Sequence, residues 1–349
     1  MTRCFFSWGV ASLAMALALV GCGGGSEDSG AATDNSTENA SASETKTLKI
    51  GVMPKLIGIG YFNAAEMGVK EAAEALGVEV DYDGPVDADV TKQVQLIDTW
   101  ITRQYDAICV APNDPDAISD VLNKARKRGI KVITWDTDSH TDSRDFFVNQ
   151  TTSEAIAHTM MDIMAEGAGA EAKFINITGT LTAANQNTWM ELMETYRQTK
   201  YPGMTNLSET PKAPGEDQAM ATQLTADSLK AYPDLQGIFG LTSVALPGAA
   251  EALRKANAAD KVYLTGLATP NDMKEYVLDG TVKKFVLWNV PDLGYLTVHA
   301  AVAAVKGELT EGATEFNTGR ITTSRIEGSE IILGDPLVFT KDNIENFDY

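Results

Sequence analysis

From Thr47 onward, short apolar runs alternate with segments whose apolar positions recur every three to four residues. Those two periods distinguish buried strands from amphipathic helices. Leu48–Met53 predicts a strand, and Asn63–Leu76 a helix with Ala65, Val69, Ala72 and Leu76 on one face. Val78–Tyr82 predicts the next strand, and Val94, Ile97 and Ile101 stripe the helix after it. Ala107–Val110 and Ile130–Thr134 read as the third and fourth strands. Between them Ile118, Val121, Leu122 and Ala125 mark a helix that Gly129 closes. Strand and helix in alternation, with short connections and right-handed crossovers, make a parallel sheet covered on both faces.

The pattern then restarts. Helices are predicted from Thr152 or Ser153 to about Glu166, over Asn187–Lys200 and Asp217–Ala231, from Pro247 to about Ala256, and from Thr269-Pro270 toward Gly280. The strands among them are Lys173–Ile177, Met204–Glu209, Leu235–Gly240, Val262–Gly266 and Lys284–Trp288. Another helix opens at Pro291 and runs to about Val305, and Arg320–Thr340 holds short strands. The fold class is α/β, with two similar doubly wound parallel-sheet halves in series. The late elements need sheets to join, so the chain must cross between the halves more than once.

Ahead of the first strand the composition changes. Arg3 precedes an apolar run from Val10 to Val20, too short for a membrane-spanning helix of about 20 residues, and Leu19-Val20-Gly21-Cys22 follows. That order predicts a lipoprotein signal at residues 1–21, cleaved before a lipidated Cys22. Residues 22–46, rich in Gly, Ser, Thr, Asn, Asp and Glu, predict a flexible tether. The protein is expected to be exported and held to a membrane by its lipid.

A net charge of -20 argues against nucleic acid as a partner. Of three cysteines, Cys4 leaves with the signal, Cys22 carries lipid, and Cys109 sits in an apolar run as a small hydrophobe, so no disulfide is expected. His140, His158 and His299 are scattered, and no metal spacing is present. Gly58-Ile-Gly60-Tyr-Phe-Asn63 lacks the third glycine of a dinucleotide fingerprint, and phosphate-loop, nucleophile-elbow and zinc-protease patterns are absent. No cofactor, metal or catalytic residue is predicted.

Ligands of open parallel sheets gather beyond the carboxyl ends of the strands. In this chain those positions hold Lys55, Tyr61-Phe62, Trp135-Asp136, Asn185-Gln186, Trp189, the Ala245–Ala249 segment and Trp288-Asn289. A cation, carboxylates, amides and aromatic rings are the inventory of a carbohydrate or polyol cleft. Trp135 and Trp288 also have a plain alternative as core residues.

The strings Pro54-Lys55-Leu56, Tyr82-Asp-Gly-Pro85, Gln93-Val-Gln-Leu-Ile97, Thr134-Trp-Asp136, Val148-Asn-Gln150, Ala245-Leu-Pro247, Gly280-Thr-Val-Lys283, Leu287-Trp288 and Lys341 to Tyr349 occur in this order. In them, across nearly all of Thr47–Tyr349, the chain resembles the periplasmic binding proteins of the ribose-type cluster. It is most similar to the autoinducer-2 receptors and rhamnose-binding proteins of ABC importers. The resemblance implies two α/β lobes joined by three hinge crossings, the type I arrangement, closing on one small ligand. It implies a monomer that passes a sugar to an inner-membrane ABC permease. The lobes would be 47–150 plus about 290–310, and 151–289 plus about 311–349.

The resemblance also implies ligand contacts at Lys55, Asp136, Gln186, Pro247 and Ala249. The family pattern places aspartate where this chain has Asn185. Asparagine exchanges a charge-assisted bond of about 1.5 to 3 kcal/mol for a neutral one of about 0.5 to 1.5. That shifts the expected ligand toward a pentose or a deoxyhexose such as rhamnose, with autoinducer-2 as the alternative. The full expected ligand set is Lys55, Tyr61, Phe62, Asp136, Asn185, Gln186, Pro247, Ala249 and Asn289. A sensory receptor and an exported enzyme of similar shape remain open classes, but no acid, base or nucleophile constellation favours the enzyme. A fold-sharing transcription regulator would need a basic helix-turn-helix where this chain has a signal and an acidic leash.

Overall fold

The computed structural model describes residues 46–310, 312–322 and 324–349. The predicted signal at 1–21, the lipidation site Cys22 and the tether as far as Thr45 lie outside the described residues. The first half consists of β1 (Lys49–Met53), α1 (Gly60–Leu76), β2 (Glu79–Tyr82), α2 (Val90–Thr102), β3 (Ala107–Val110), α3 (Pro115–Lys127), β4 (Lys131–Trp135) and β5 (Phe146–Asn149). The second runs through α4 (Ser153–Ala168), β6 (Lys173–Ile177), α5 (Ala184–Lys200), β7 (Thr205–Asn206), α6 (Gln218–Ala231), β8 (Gly237–Gly240), α7 (Ala245–Ala256), β9 (Tyr263–Gly266), α8 (Pro270–Leu278) and β10 (Phe285–Leu287). After these come α9 (Val290–Lys306), β11 (Arg325–Glu327), β12 (Glu330–Ile332) and β13 (Leu337–Phe339).

The first sheet has the order β11-β12-β5-β4-β3-β1-β2, parallel throughout except for β11 against β12. Its central strands β1, β3, β4 and β5 are almost wholly buried because helices cover both faces. One face packs Ile108, Val110 and Val132 against Ile97, Trp100, Ile118 and Leu122 of α2 and α3. Burying each such Leu or Ile contributes about 1.5–3 kcal/mol. Gly51 has no side chain where Trp100 lies, and that ring stacks on Tyr105 at 5.5 Å between centroids. The other face packs Ile50, Val52, Cys109 and Ile133 beneath α1 and α9.

Helices α1 and α9 touch backbone to backbone. A methyl on Gly68 would overlap the Pro291 carbonyl, and one on Gly294 would overlap the Ala65 carbonyl. Asn289 caps α9 by accepting from Asp292 N at 3.0 Å, and Pro291 occupies its first turn.

The second sheet is parallel in the order β7-β6-β8-β9, with β10 and β13 forming an antiparallel pair beside it. Helices α4 and α5 pack together, as do α6 and α7. The chain passes between the sheets three times, at Gln150–Thr152, Trp288–Asn289 and Leu333–Pro336.

Three expectations are corrected. Phe146–Asn149 is a fifth strand, β5, hidden in sequence by the polar Asn149-Gln150 that ends it and by a connection from β4 that holds only a 3-10 turn, Thr141–Ser143, in place of an α-helix. Residues 325–332 return to the first sheet by pairing Ile331 with Val148, so the assignment of about 311–349 to the second lobe holds only from β13 to the C-terminus. The strand predicted over Met204–Glu209 shrinks to Thr205–Asn206, and pairing with β6 resumes at Lys212 opposite Ile177.

Candidate functional site

A small cavity of about 50 Å³ lies where the carboxyl ends of the strands in both sheets meet. From the first half, Lys55 follows β1 by two residues and is 7 % exposed. Its Nζ lies 3.7 Å from Asp136 Oδ2 and donates to Asn185 Oδ1 at 3.1 Å. Asp136 follows directly on β4, 5 % exposed, with φ +64°. Aspartate tolerates that left-handed conformation better than most residues do. Its carboxylate accepts from Tyr61 OH at 2.6 Å and from Thr137 Oγ1 at 3.3 Å.

Tyr61 and Phe62 stand in the first turn of α1, which begins at Gly60 rather than at Asn63. The Tyr61 hydroxyl donates to Asp136 and accepts from Trp288 Nε1 at 3.1 Å. Burial first, and then the neighbouring Asp136 charge, push the phenol well above its ordinary pKa, so it stays protonated as a donor. Tyr61 meets Trp288 edge to face at 6.0 Å between centroids, and Trp189 lies 6.3 Å from Trp288 on its other side. Trp135, in contrast, belongs to the core. Its Nε1 donates to Met53 O at 3.2 Å, and its ring meets Phe62 edge to face at 5.8 Å.

From the second half, Asn185 and Gln186 occupy the first turn of α5. Asn185 Nδ2 donates to the Asp136 carbonyl at 3.4 Å. Gln186 is fixed by its Oε1, which accepts from the Thr178 hydroxyl and from Gly179 N at 2.7 Å. Thr242, Ser243 and Leu241 beyond β8 and Leu267 beyond β9 complete this wall.

Six of the nine predicted ligand residues therefore converge: Lys55, Tyr61, Phe62, Asp136, Asn185 and Gln186. The other three are not among the residues that line this cavity. Helix α7 starts at Ala245, so Pro247 is its third residue and Ala249 lies farther in, both buried, while Thr242 and Ser243 take the lining positions. Asn289 spends its side chain capping α9.

Glu216 lines the cavity and was not foreseen. Reading Met204–Glu209 as one whole strand hid the resumed pairing at Lys212, and with it the loop that leaves that strand end. Asp217, which caps α6 by accepting from Met220 N at 2.9 Å, was the available sign that a strand-to-helix loop ends there. Burial raises the Glu216 carboxyl above its ordinary pKa, opposed by the Lys55 charge and by hydrogen bonding from Thr242 and Gln186.

Charged groups at the cavity are thus one cation, Lys55, and two carboxylates, Asp136 and Glu216. Acceptors, hydroxyl donors and four aromatic rings suit a compact molecule with polar edges and apolar faces. Among the described residues no three histidine, cysteine or carboxylate side chains gather as metal ligands.

A family model described as periplasmic binding protein domain matches residues 50–309. The D-xylose-binding periplasmic protein of Haemophilus influenzae is 22% identical over 315 residues, covering 87% of this chain and 90% of that protein. Among solved structures, LsrB from Clostridium saccharobutylicum in complex with AI-2 superposes with a TM-score of 0.82 at 26% identity, covering 86% of this chain and all of that one. An ABC transporter solute binding protein from Clostridium phytofermentas with bound L-rhamnose gives 0.81 at 29% identity, covering 86% of this chain and 98% of that one.

Proposed function

The chain belongs to the periplasmic binding protein domain family, and from that premise we propose that it is the solute-binding component of an ABC importer. It captures a small sugar between its two halves and delivers it to a membrane permease. The observation that carries this reading is the convergence of Lys55 and Asp136 from one half with Asn185 and Gln186 from the other, in a cavity walled by Tyr61, Phe62, Trp189 and Trp288.

The ligand proposed first is a rhamnose-like deoxyhexose or a pentose, supported by the xylose- and L-rhamnose-binding relatives. Autoinducer-2 is the second reading, supported by the AI-2-bound neighbour and by Lys55, Asp136 and Gln186, which the resemblance to its receptors implies as contacts and which line the cavity. A ligand bonded to both halves stabilises their closed arrangement by its differential affinity for it, and the permease reads closure. The three passages between the sheets serve as the hinge. One lobe is then residues 47–150 with about 290–310 and 325–332, and the other 151–289 with the segment from β13 onward. The protein works in the periplasm, tethered through a lipidated Cys22, as a monomer and without enzymatic activity.

Calorimetric and thermal-shift titration of the purified protein with L-rhamnose, D-ribose, D-xylose and autoinducer-2 tests this reading. Saturable binding of at least one, with a raised unfolding temperature, is the expected result. A flat response to all four refutes it.

A further inference from the structure

We propose that Glu216 is the ligand-binding anion of the second half, accepting from adjacent hydroxyls of the ligand and supplying there the charge that Asn185 lacks. This inference rests on the sugar-capture reading and deepens it.

The backbone is arranged to present this carboxylate. Glu216 adopts φ +64°, directly after Gly215 at φ +75°. Glutamate has no intrinsic preference for left-handed backbone, and such strain persists where the surroundings enforce it. The chain is pinned just upstream, where Lys212 exchanges backbone bonds with β6 through Thr178 N to Lys212 O at 2.8 Å and Lys212 N to Asn176 O at 2.9 Å. Gly215 N then donates to Gly179 O at 2.9 Å.

Gly179 is the second element of this arrangement. A methyl there would overlap Glu216 Oε1 and lie 2.6 Å from its Cδ and 3.1 Å from Thr242 Cγ2. The missing side chain is the cradle for the carboxylate. Asp136, from the opposite half, lines the same cavity with the same positive φ. Lys55 is paired with Asp136 and bonded to Asn185, so one cation serves two carboxylates, and Glu216 has Thr242 and Gln186 as protein donors with the Lys55 charge shared. A carboxylate offers about four acceptor positions, and two adjacent ligand hydroxyls fill those that face the cavity.

For substrate class, the second half keeps an anion at the cavity, at Glu216 in place of residue 185. The ligand is a polyol with a diol facing the second half, and the polarity of residue 185 alone does not select against a diol there.

The test compares wild type, Glu216→Gln, Gly179→Ala and the double variant Asn185→Asp with Glu216→Gln, titrated calorimetrically with L-rhamnose, D-ribose, D-xylose and autoinducer-2. Glu216→Gln should weaken the sugar that wild type binds by about tenfold or more, the scale of a charge-assisted bond exchanged for a neutral one. Gly179→Ala, which displaces the carboxylate with its chemistry intact, should weaken it likewise, and adding Asn185→Asp should recover part of the loss. Binding by Glu216→Gln within twofold of wild type overturns the inference. Failure of wild type to bind any of the four overturns the sugar reading instead. Thermal unfolding without ligand reports folding. Should the Gln variant fail to fold, Glu216→Asp retracts the same charge by one methylene and carries the same expected loss and the same refuting result.

Discussion

Changing Asp136 to Asn isolates the charge of the central carboxylate from its shape. Asparagine, like aspartate, visits left-handed backbone routinely, so the φ of +64° is kept, whereas Asp136→Ala would add strain of about 1 kcal/mol. In the native site the carboxylate accepts from Tyr61 OH at 2.6 Å and faces Lys55 Nζ at 3.7 Å. Removing the charge turns each charge-assisted bond into a neutral one, a loss of about 1 to 1.5 kcal/mol per bond.

A buried ion pair stripped of one partner costs about 3–5 kcal/mol. Here Asn185 Oδ1 at 3.1 Å still accepts from Lys55 and Glu216 shares the cavity, so the expected destabilisation is about 1–3 kcal/mol. If a ligand hydroxyl donates to the same carboxylate, affinity should fall about tenfold for each 1.4 kcal/mol lost. Urea unfolding gives the first quantity and calorimetric titration the second. Adding Lys55→Met to the Asn variant should restore part of the stability, since it removes the orphaned cation. Wild-type stability together with affinity within twofold in the single variant would refute the argument.

Three further outcomes are expected. Tyr61→Phe removes the hydroxyl that joins Asp136 to Trp288 Nε1 and leaves the buried indole N–H without its acceptor, at a cost of about 1–3 kcal/mol by urea unfolding; an unchanged midpoint would count against the bridge. Gly68→Ala drives a methyl into the Pro291 carbonyl and should destabilise by about 3 kcal/mol or abolish folding, whereas a thermal midpoint within a degree of wild type would contradict the close crossing. Glu216 has its folded pKa raised by burial, so the folded state holds this proton more tightly than the unfolded chain, whose value is about 4.3. Its contribution to the ligand-free protein is therefore most favourable below that value and is lost as pH rises through the folded pKa. Subtracting the Glu216→Gln stability profile should expose that slope, and superimposable profiles would refute it.

The two periods of the apolar pattern were enough to read nearly every helix and central strand, because each has a buried face that its sequence must encode. The exceptions are elements that owe their existence to a partner. Strands β11 and β12 are three residues each and become strands only by pairing with each other and, through β12, with β5, and no local pattern says which sheet a short late segment will join. At the site, Lys55 and Asp136 could be placed from sequence because they closely follow strands in recognisable strings, and Gln186 because it opens the helix after β6. Glu216 was not, since the strand before it is interrupted between Asn206 and Lys212 and its backbone angle is a tertiary effect. Pro247 and Ala249 were named on their string alone, and the start of a helix at Ala245, which buries both away from the cavity lining, is a feature that the string does not announce.

The glycine contact between α1 and α9 has a dynamic consequence. Tyr61 rides on the first turn of α1, and Trp288 precedes by one residue the cap of α9. With those two helices seated carbonyl against Cα at Gly68 and Gly294, the proposed hinge motion would carry Trp288 along with Tyr61 and leave the bond between them in place. The aromatic floor is thus built before any guest arrives. What opens and reseals is the seam of Asn185 against Lys55 and the Asp136 carbonyl, with Trp189 against Trp288, so recognition is concentrated in a few contacts while the Tyr61–Trp288 part of the stacking surface is already ordered by folding.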